Sequence, residues 1–306
     1  MRLGLTPWNF HDLSAVSLTE QASFGEAHGY GSFWLPENHF NERAIPDPLM
    51  LLAGVAAGTT TIRLATTSFL LPLRHPLLAA EQVAVLDRLS NGRVLLGVGR
   101  GYSHPVLEAF NVEPASKRAQ FEWVLETMIA AWMGEPVSAP ESSEELRLDP
   151  LPLQSPHPPI WVAAFGPKAL AQAGRLGLPY LASPIETLDE LMRNFERHGE
   201  AAEEAGHDPV VTRPVMRTIF VSEDASLLGA VRERLGQAKT ATGNRPRAAV
   251  DEWAIIGDPA FVQDKLAQYR EQLDATDMIV TRLRLDGIDE GHLRTSVARV
   301  ADIVAN

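Results

Sequence analysis

The residues best suited to chemistry come in short clusters that follow apolar runs. Glu37-Asn38-His39 sets a carboxylate, an amide and an imidazole in a row after the apolar run Ser32–Pro36. Thr66-Thr67-Ser68 sets three small hydroxyl residues inside an otherwise apolar stretch. Such residues either leave room for a planar ring against the backbone or fill a core layer with β-branched bulk. Gly97-Val98-Gly99-Arg100-Gly101-Tyr102 carries one fixed cation among glycines. It is not a dinucleotide fingerprint, because Tyr102 stands where the third glycine of G-x-G-x-x-G belongs. Its glycines would let the backbone approach a flat ligand, and Arg100 would either neutralise a phosphate or an anionic ring, or bridge loops. In Phe165-Gly166-Pro167-Lys168, a strand ends, glycine turns the chain, and proline takes the first helical position. A helix start beside a lysine favours an anion such as phosphate, and it is also how ordinary helices begin.

Other chemistries find no support. The chain has no cysteine, which removes disulfides, thiolate nucleophiles and cysteine-bound zinc. His39 has no H-E-x-x-H spacing, and no G-x-S-x-G elbow occurs. His75, between Arg74 and Pro76, reads as structural, and adjacent acids such as Glu203-Glu204 and Asp251-Glu252 read as solvated charge. A formal net charge of −12 argues against nucleic acid or an anionic membrane surface as a partner. The N-terminal MRLGLTPWNF lacks a signal-peptide core, and no apolar run nears the ~20 residues of a membrane span. The expectation is a cytoplasmic protein.

These clusters need a scaffold, and the pattern alternates strand and helix throughout the 306 residues. Strands are expected at Arg2–Thr6, Ser32–Pro36, Ile62–Leu71, Arg93–Gly99, Ile160–Ala164, Tyr180–Ser183, Val215–Val221 and Met278–Leu285. Eight strand–helix pairs predict an α/β fold, a single-domain (β/α)8 TIM barrel over 1–306, with its site at the carboxyl ends of the strands. Most strands are apolar without alternation, as strands covered on both faces should be; Thr281-Arg-Leu-Arg-Leu alternates and should be wet on one side. Helix starts are expected at Ser17-Leu-Thr-Glu20 and Thr187-Leu-Asp-Glu190, both capping boxes, and at Asp47-Pro48 and Asp258-Pro259. Leu188, Leu191, Met192 and Phe195 should form one buried stripe, and Val262, Leu266, Tyr269 and Leu273 another. The helix Pro48–Ala57 is apolar all round, which implies cover by a second subunit or by loops of its own chain; a charge at Val55 would then disrupt that cover. Glu135–Pro159, rich in proline and serine, reads as an insertion or lid.

WLPENHF, LLPLRHP, LDRLSNGR and GVGRGY together resemble the bacterial luciferase-like family of flavin-dependent monooxygenases, over nearly the whole chain. The resemblance implies a (β/α)8 barrel that binds reduced FMN, uses O2 on a small organic substrate, and draws reduced flavin from a separate reductase. It implies a non-proline cis peptide at Thr67-Ser68 beneath the flavin ring, a flavin-contacting role for Glu37, and Arg100 near the flavin phosphate. It further implies phosphate binding at Phe165, Gly166, Pro167 and Lys168, a cofactor contact at Ser183, and a homodimer formed through the early helices. Asn38 and His39 are the implied catalytic positions, with a departure. Asn38 stands where luciferase has its reactive histidine, and an amide can hydrogen-bond an oxygen but cannot exchange a proton near neutral pH. Phe165 replaces a carboxylate, leaving phosphate to backbone N–H groups. Luminescence is not expected. The alternatives are a deazaflavin-coenzyme-dependent hydride-transfer enzyme and a non-catalytic flavin-binding subunit.

Overall fold

In a computed structural model, the described residues are 1–10, 12–42, 44–137, 144–237, 248–281, 285 and 287–305. The strands are β1 (Arg2–Leu5), β2 (Ser32–Leu35), β3 (Arg63–Thr66), β4 (Phe69–Leu70), β5 (Val94–Gly99), β6 (Ile160–Ala163), β7 (Tyr180–Leu181), β8 (Pro214–Val221), β9 (Ala254–Gly257) and β10 (Asp277–Thr281). The α-helices are α1 (Ala15–Ala27), α2 (Pro48–Gly58), α3 (Pro76–Leu89), α4 (His104–Ala109), α5 (Lys117–Trp132), α6 (Pro167–Arg175), α7 (Leu188–Glu204), α8 (Ala225–Gln237), α9 (Val250–Trp253), α10 (Pro259–Leu273) and α11 (Glu290–Ala305). The chain divides into two compact units, one of residues 1–12, 20–33 and 164–306, the other of residues 13–19 and 34–163.

In the first unit the sheet is parallel. β1 pairs with β10 from Arg2↔Asp277 to Leu5↔Val280, and with the first half of β2 at Gly4↔Ser32 and Leu5↔Phe33. β8 pairs with β10 through its lower half and with β9 through its upper half, Thr218↔Ala254 to Val221↔Gly257. All eight residues of β8 are buried, as a strand covered on both faces requires. The α10 stripe Val262, Leu266, Tyr269 and Leu273 is buried as its spacing predicts. Of the α7 stripe, Leu191 and Phe195 are buried while Met192 is exposed. Thr187 and Glu190 form the expected capping box, and Asp258 caps α10.

In the second unit β3, β5 and β6 pair in parallel, and β4 adds to the end of β5 at Phe69↔Val98 and Leu70↔Gly99. Asp87 and Arg93, both from the LDRLSNGR run, tie its amino end together. The fully buried Asp87 carboxylate accepts from Leu153 N (2.8 Å), Gln154 N (3.0 Å) and Gln154 Nε2 (2.7 Å). Arg93 donates to Ala56 O, Thr59 O and Ile62 O, which closes the loop between α2 and β3.

Several expectations need correction. The expected strand Ile62–Leu71 is two, β3 and β4, because pairing lapses at Thr67-Ser68; Thr66 therefore does end a strand. β9 was not foreseen, since Ala254-Ile-Ile-Gly is too short an apolar run to stand out beside the helix start that follows it. α1 begins at Ala15, ahead of Ser17-Leu-Thr-Glu20, because Ser14 Oγ already accepts from Ser17 N. The segment 151–154 is no lid over the carboxyl rim. Asp87 and Arg63, whose Nη2 meets Gln154 Oε1 at 2.8 Å, hold it at the amino ends of β3 and β5. α2, capped by Asp47 as expected, buries Leu49, Leu52, Val55 and Ala56 within its own unit. Val55 is 0% exposed, so a charge there would test folding and not a subunit contact. Most of the alternating stretch after Thr281, together with Asp286 and residues 138–143 of the expected insertion, lies outside the described residues. Among the described residues, no helix is long and apolar enough to cross a membrane.

Candidate active site

In the second unit, Glu37 is the hub of the cluster that follows β2. Its side chain is fully buried. Oε1 lies 2.8 Å from His39 Nε2, while Oε2 accepts from Leu70 N at 2.9 Å and meets Arg74 Nη2 at 2.9 Å. Burial raises the Glu37 pKa above the usual carboxylate value, opposed first by the charge of Arg74 and then by the Leu70 N–H. The carboxylate therefore fixes the orientation of His39 and the path of the Leu70–Arg74 turn. His39, itself buried, packs edge-on against Phe110 at 4.9 Å and against Phe40 at 5.9 Å. Phe40 is 74% exposed and sits at φ 59°, a left-handed conformation that bulky residues rarely adopt. Asn38 is otherwise engaged. Its Oδ1 accepts from Ile45 N at 3.0 Å, and its own N–H donates to Ile45 O, which ties residues 38 and 45 together.

The Thr67–Ser68 peptide is cis, with Thr67 N donating to Leu35 O at 2.8 Å. Ser68 lies against Gly99, where an added Cβ would sit 2.1 Å from Ser68 Oγ and 2.9 Å from its Cβ. Glycine at 99 is what lets the Ser68 side chain pack onto the end of β5. Immediately after it, Arg100 belongs to a group of three cations with Lys117 and Arg118 from the start of α5. Burial lowers the Arg100 pKa, followed by repulsion from Arg118, with Glu122 opposing. Burial also lowers that of Lys117, followed by Arg100 and Arg118. Lys117 Nζ donates to Gly101 O at 3.2 Å. Arg100 and Lys117 are part-buried and Arg118 is exposed, with Glu122 offsetting part of the charge; an anion would relieve the remaining repulsion. Sequence reasoning missed Lys117 and Arg118, which read as the ordinary first residues of a surface helix; their separation from Arg100 along the chain carried no signal.

In the first unit, Phe165-Gly166-Pro167-Lys168 forms the expected helix start. Gly166 adopts φ 87°, open only to glycine without strain, and Pro167 takes the first position of α6. The donor supply is smaller than the sequence suggests. Proline has no N–H, and Ala169 N and Leu170 N both bind back to Gly166 O, which leaves the Lys168 N–H of the first turn. Phe165 and Lys168 are exposed. Ser183 follows β7 and is half-buried. Its N–H donates to Glu186 Oε2 at 2.6 Å, and its carbonyl accepts from Arg217 Nη1 at 3.2 Å. Burial raises the Glu186 pKa, and burial followed by the Glu186 charge raises that of Tyr180 well above the usual phenol value. Among the described residues, no three His, Asp or Glu side chains gather as a metal site.

The structure thus brings Glu37 to His39 and Ser68 to Gly99, and surrounds Arg100 with cations absent from the sequence reading. A family model described as luciferase-like monooxygenase matches residues 11–276. The oxygenase component of a flavin-dependent trigonelline monooxygenase from Acinetobacter baylyi is 30% identical over 217 residues, covering 67% of this chain and 59% of that protein. The chain likewise spans less than two thirds of another curated relative, a protein of Sinorhizobium fredii, at 64% of its length. Among solved structures, the oxygenating constituent of 3,6-diketocamphane monooxygenase from Pseudomonas putida, in complex with FMN, superposes with a TM-score of 0.82 at 21% identity. That match covers 100% of this chain and 98% of the other. An F420-dependent secondary alcohol dehydrogenase gives a TM-score of 0.76 at 17% identity, covering 98% of each chain. At these identities, the structural likeness establishes fold alone.

Proposed function

The chain belongs to the luciferase-like monooxygenase family, and on that footing we propose that it is a flavin-dependent oxidoreductase, a monooxygenase that uses reduced FMN and O2 on a small organic substrate. The observation that carries this reading is the part-buried pair of cations Arg100 and Lys117, directly after the point where Ser68 packs on Gly99 at the end of β5. Those cations suit an anionic group, so the residues present fit a phosphate-bearing cofactor. When bound, the flavin supplies the redox chemistry.

The chain's own residues bind and orient. Thr67, Ser68 and Gly99 offer a flat backbone surface for the ring, held in place by Glu37 through the Leu70 amide. Arg100, with Lys117 and Arg118, neutralises the phosphate or the anionic ring. In the first unit, Phe165, Gly166, Pro167 and Lys168 offer the Lys168 N–H and its ammonium to a cofactor phosphate, and Ser183 offers its hydroxyl to a cofactor. His39, oriented by Glu37, holds or moves the proton that Asn38 cannot. Asn38 keeps the loop from 38 to 45 closed behind it. Phe40 and Phe110 give the imidazole an apolar surround, suited to an organic substrate.

The same reading includes a closed (β/α)8 barrel over 1–306, a cytoplasmic setting and a reductase that delivers reduced FMN. The named function of the trigonelline relative, an oxygenase component, supports the last. It includes a homodimer as well, for Leu78, Val85 and Leu89 expose one apolar stripe along α3. Leu89→Glu should then sediment as a monomer, and an unchanged sedimentation coefficient would remove this face from the contact.

A hydride-transferring enzyme with a deazaflavin coenzyme is the second reading. It is favoured by Asn38, whose side-chain oxygen accepts from Ile45 N and whose amide exchanges no proton near neutral pH. Anaerobic titration with reduced FMN and with the deazaflavin coenzyme separates the two. Tight binding of the deazaflavin alone would overturn the first reading. Arg100→Ala should weaken binding of the correct cofactor by about 1.5–3 kcal/mol, the scale of a hydrogen bond to a charged group.

A further inference from the structure

The turn between β7 and α7 is held by charges that no step above uses. Glu186 is 1% exposed, and its carboxylate folds back to accept from Ser183 N at 2.6 Å and from Asn194 Nδ2 at 2.5 Å. The Tyr180 hydroxyl lies 2.6 and 2.7 Å from its two oxygens. From the adjoining β8, Arg217 is 0% exposed and donates into the same turn: Nη1 to Ser183 O at 3.2 Å and Nη2 to Glu186 O at 2.6 Å. Its remaining hydrogen bonds go to Met216 O at 2.7 Å and to the Tyr269 hydroxyl at 2.7 Å. Both backbone polar groups of Ser183 are thereby fixed, its N–H by a carboxylate and its carbonyl by a guanidinium.

This is a costly way to hold a strand end. Each buried charge loses several kcal/mol of hydration, and apolar packing would secure a strand end at least as well. The partners also divide in an informative way. Among the described hydrogen bonds, the network takes the amide and carbonyl of Ser183 but not its hydroxyl. Half-buried just after the carboxyl end of β7, that hydroxyl lies where ligands of α/β folds are met.

We propose that Arg217 and Glu186 are positioning residues that hold Ser183 in one conformation, so that its hydroxyl serves as a hydrogen-bond ligand to polar atoms of the flavin-type cofactor. The inference rests on the cofactor reading above and adds residues that do not touch the cofactor. Tyr180 and Asn194 complete the carboxylate's coordination, and the Tyr269 hydroxyl accepts from Arg217 Nε.

A double-mutant cycle on cofactor affinity tests it, with the full-length chain titrated with FMN and, separately, with the deazaflavin coenzyme. Ser183→Ala and Arg217→Lys should each weaken binding of the accepted coenzyme about tenfold, equivalent to one good hydrogen bond. The double variant should be no weaker than either single one. A residue that supports the fold generally would give independent effects, about a hundredfold in the double variant; that result, or unchanged affinity in a folded Arg217→Lys, overturns the proposal. Should Arg217→Lys fail to fold, Tyr269→Phe removes one hydroxyl from the same guanidinium. A loss of affinity that vanishes in the Ser183→Ala background supports the proposal, and a loss that persists there, or no loss, overturns it. A silent Ser183→Ala would remove Ser183 and the proposal while leaving the flavin reading intact. Failure of the unaltered chain to bind either coenzyme would defeat the reading itself.

Discussion

Glu37 and Glu186 lie in different units and solve the same problem. Each is a buried carboxylate after the end of a strand, turned onto one backbone amide, Leu70 N for Glu37 and Ser183 N for Glu186, with an arginine close by. They differ in the remaining partner. Glu37 holds an imidazole, whereas Glu186 holds the phenol of Tyr180, whose pKa burial pushes well above its usual value. An imidazole carries two ring nitrogens that can donate or accept, whereas a phenol so shifted keeps its proton throughout. One device can therefore serve two ends. At Glu37 it orients a group able to take part in proton transfer, and at Glu186 it holds geometry alone. The arginines differ too, since Arg74 pairs directly with its carboxylate, while Arg217 spends its donors on carbonyls of the turn.

The comparison can be broken at either carboxylate's support. The largest effect is expected from Arg217→Met, which strands the carbonyls of Ser183 and Glu186 and leaves Glu186 buried beside no cation. About 3–5 kcal/mol should be lost in urea unfolding; a loss under about 1 kcal/mol would mean that the turn is held by packing. Glu37→Gln keeps an acceptor for Leu70 N but leaves the Arg74 guanidinium without its counter-charge. Its cost should be about 2–3 kcal/mol in the same assay. Turnover should fall more than cofactor affinity does, and equal losses of both would reduce Glu37 to scaffolding.

Gly99→Ala follows, at about 1–2 kcal/mol, since the new methyl must displace Ser68 from the seat that Glu37 helps to hold. Here affinity for flavin should suffer in step with stability, and tight flavin binding by a folded Gly99→Ala would argue against that seat. The smallest effect is one of pH. The folded-state pKa of Glu186 is raised above 4.5, chiefly by burial, so its contribution is fully present below that value and declines as pH rises through the folded pKa. The stability advantage of the unaltered protein over Glu186→Gln should therefore shrink from acid to neutral pH, as followed by thermal unfolding. An advantage that grows instead would mean that Arg217 outweighs burial and that the two carboxylates are not alike.

Much of the scaffold was legible in the sequence because its signals are local. Asp47, Thr187 and Asp258 each cap a helix within three residues of themselves, and Gly166-Pro167 starts α6 as written. Where the reading went astray, the cause was competition from nearby alternatives or from distant partners. Ser14 outdid Ser17 as a cap, and Asp87 drew residues 153 and 154 to the amino end of the strands, where no spacing rule would send them. The candidate site was half legible. Glu37, His39, Ser68 and Arg100 were visible as chemistry-bearing residues after apolar runs, whereas Lys117 and Arg118 were not.

The sequence by itself determined most of the order of strands and helices, β9 and the break between β3 and β4 aside, the helix starts at Asp47, Thr187 and Asp258, and the family to which the four motifs point. These depend on backbone geometry and side chains a few residues apart, where spacing fixes direction. Only the tertiary structure decided that Glu37 serves Leu70 and Arg74, that the Asn38 side-chain oxygen accepts from Ile45 N, and that a fully buried Arg217 grips the turn at Ser183. A buried polar group takes whichever partners the packing brings within reach, and those partners lie too far along the chain for any local pattern to name them.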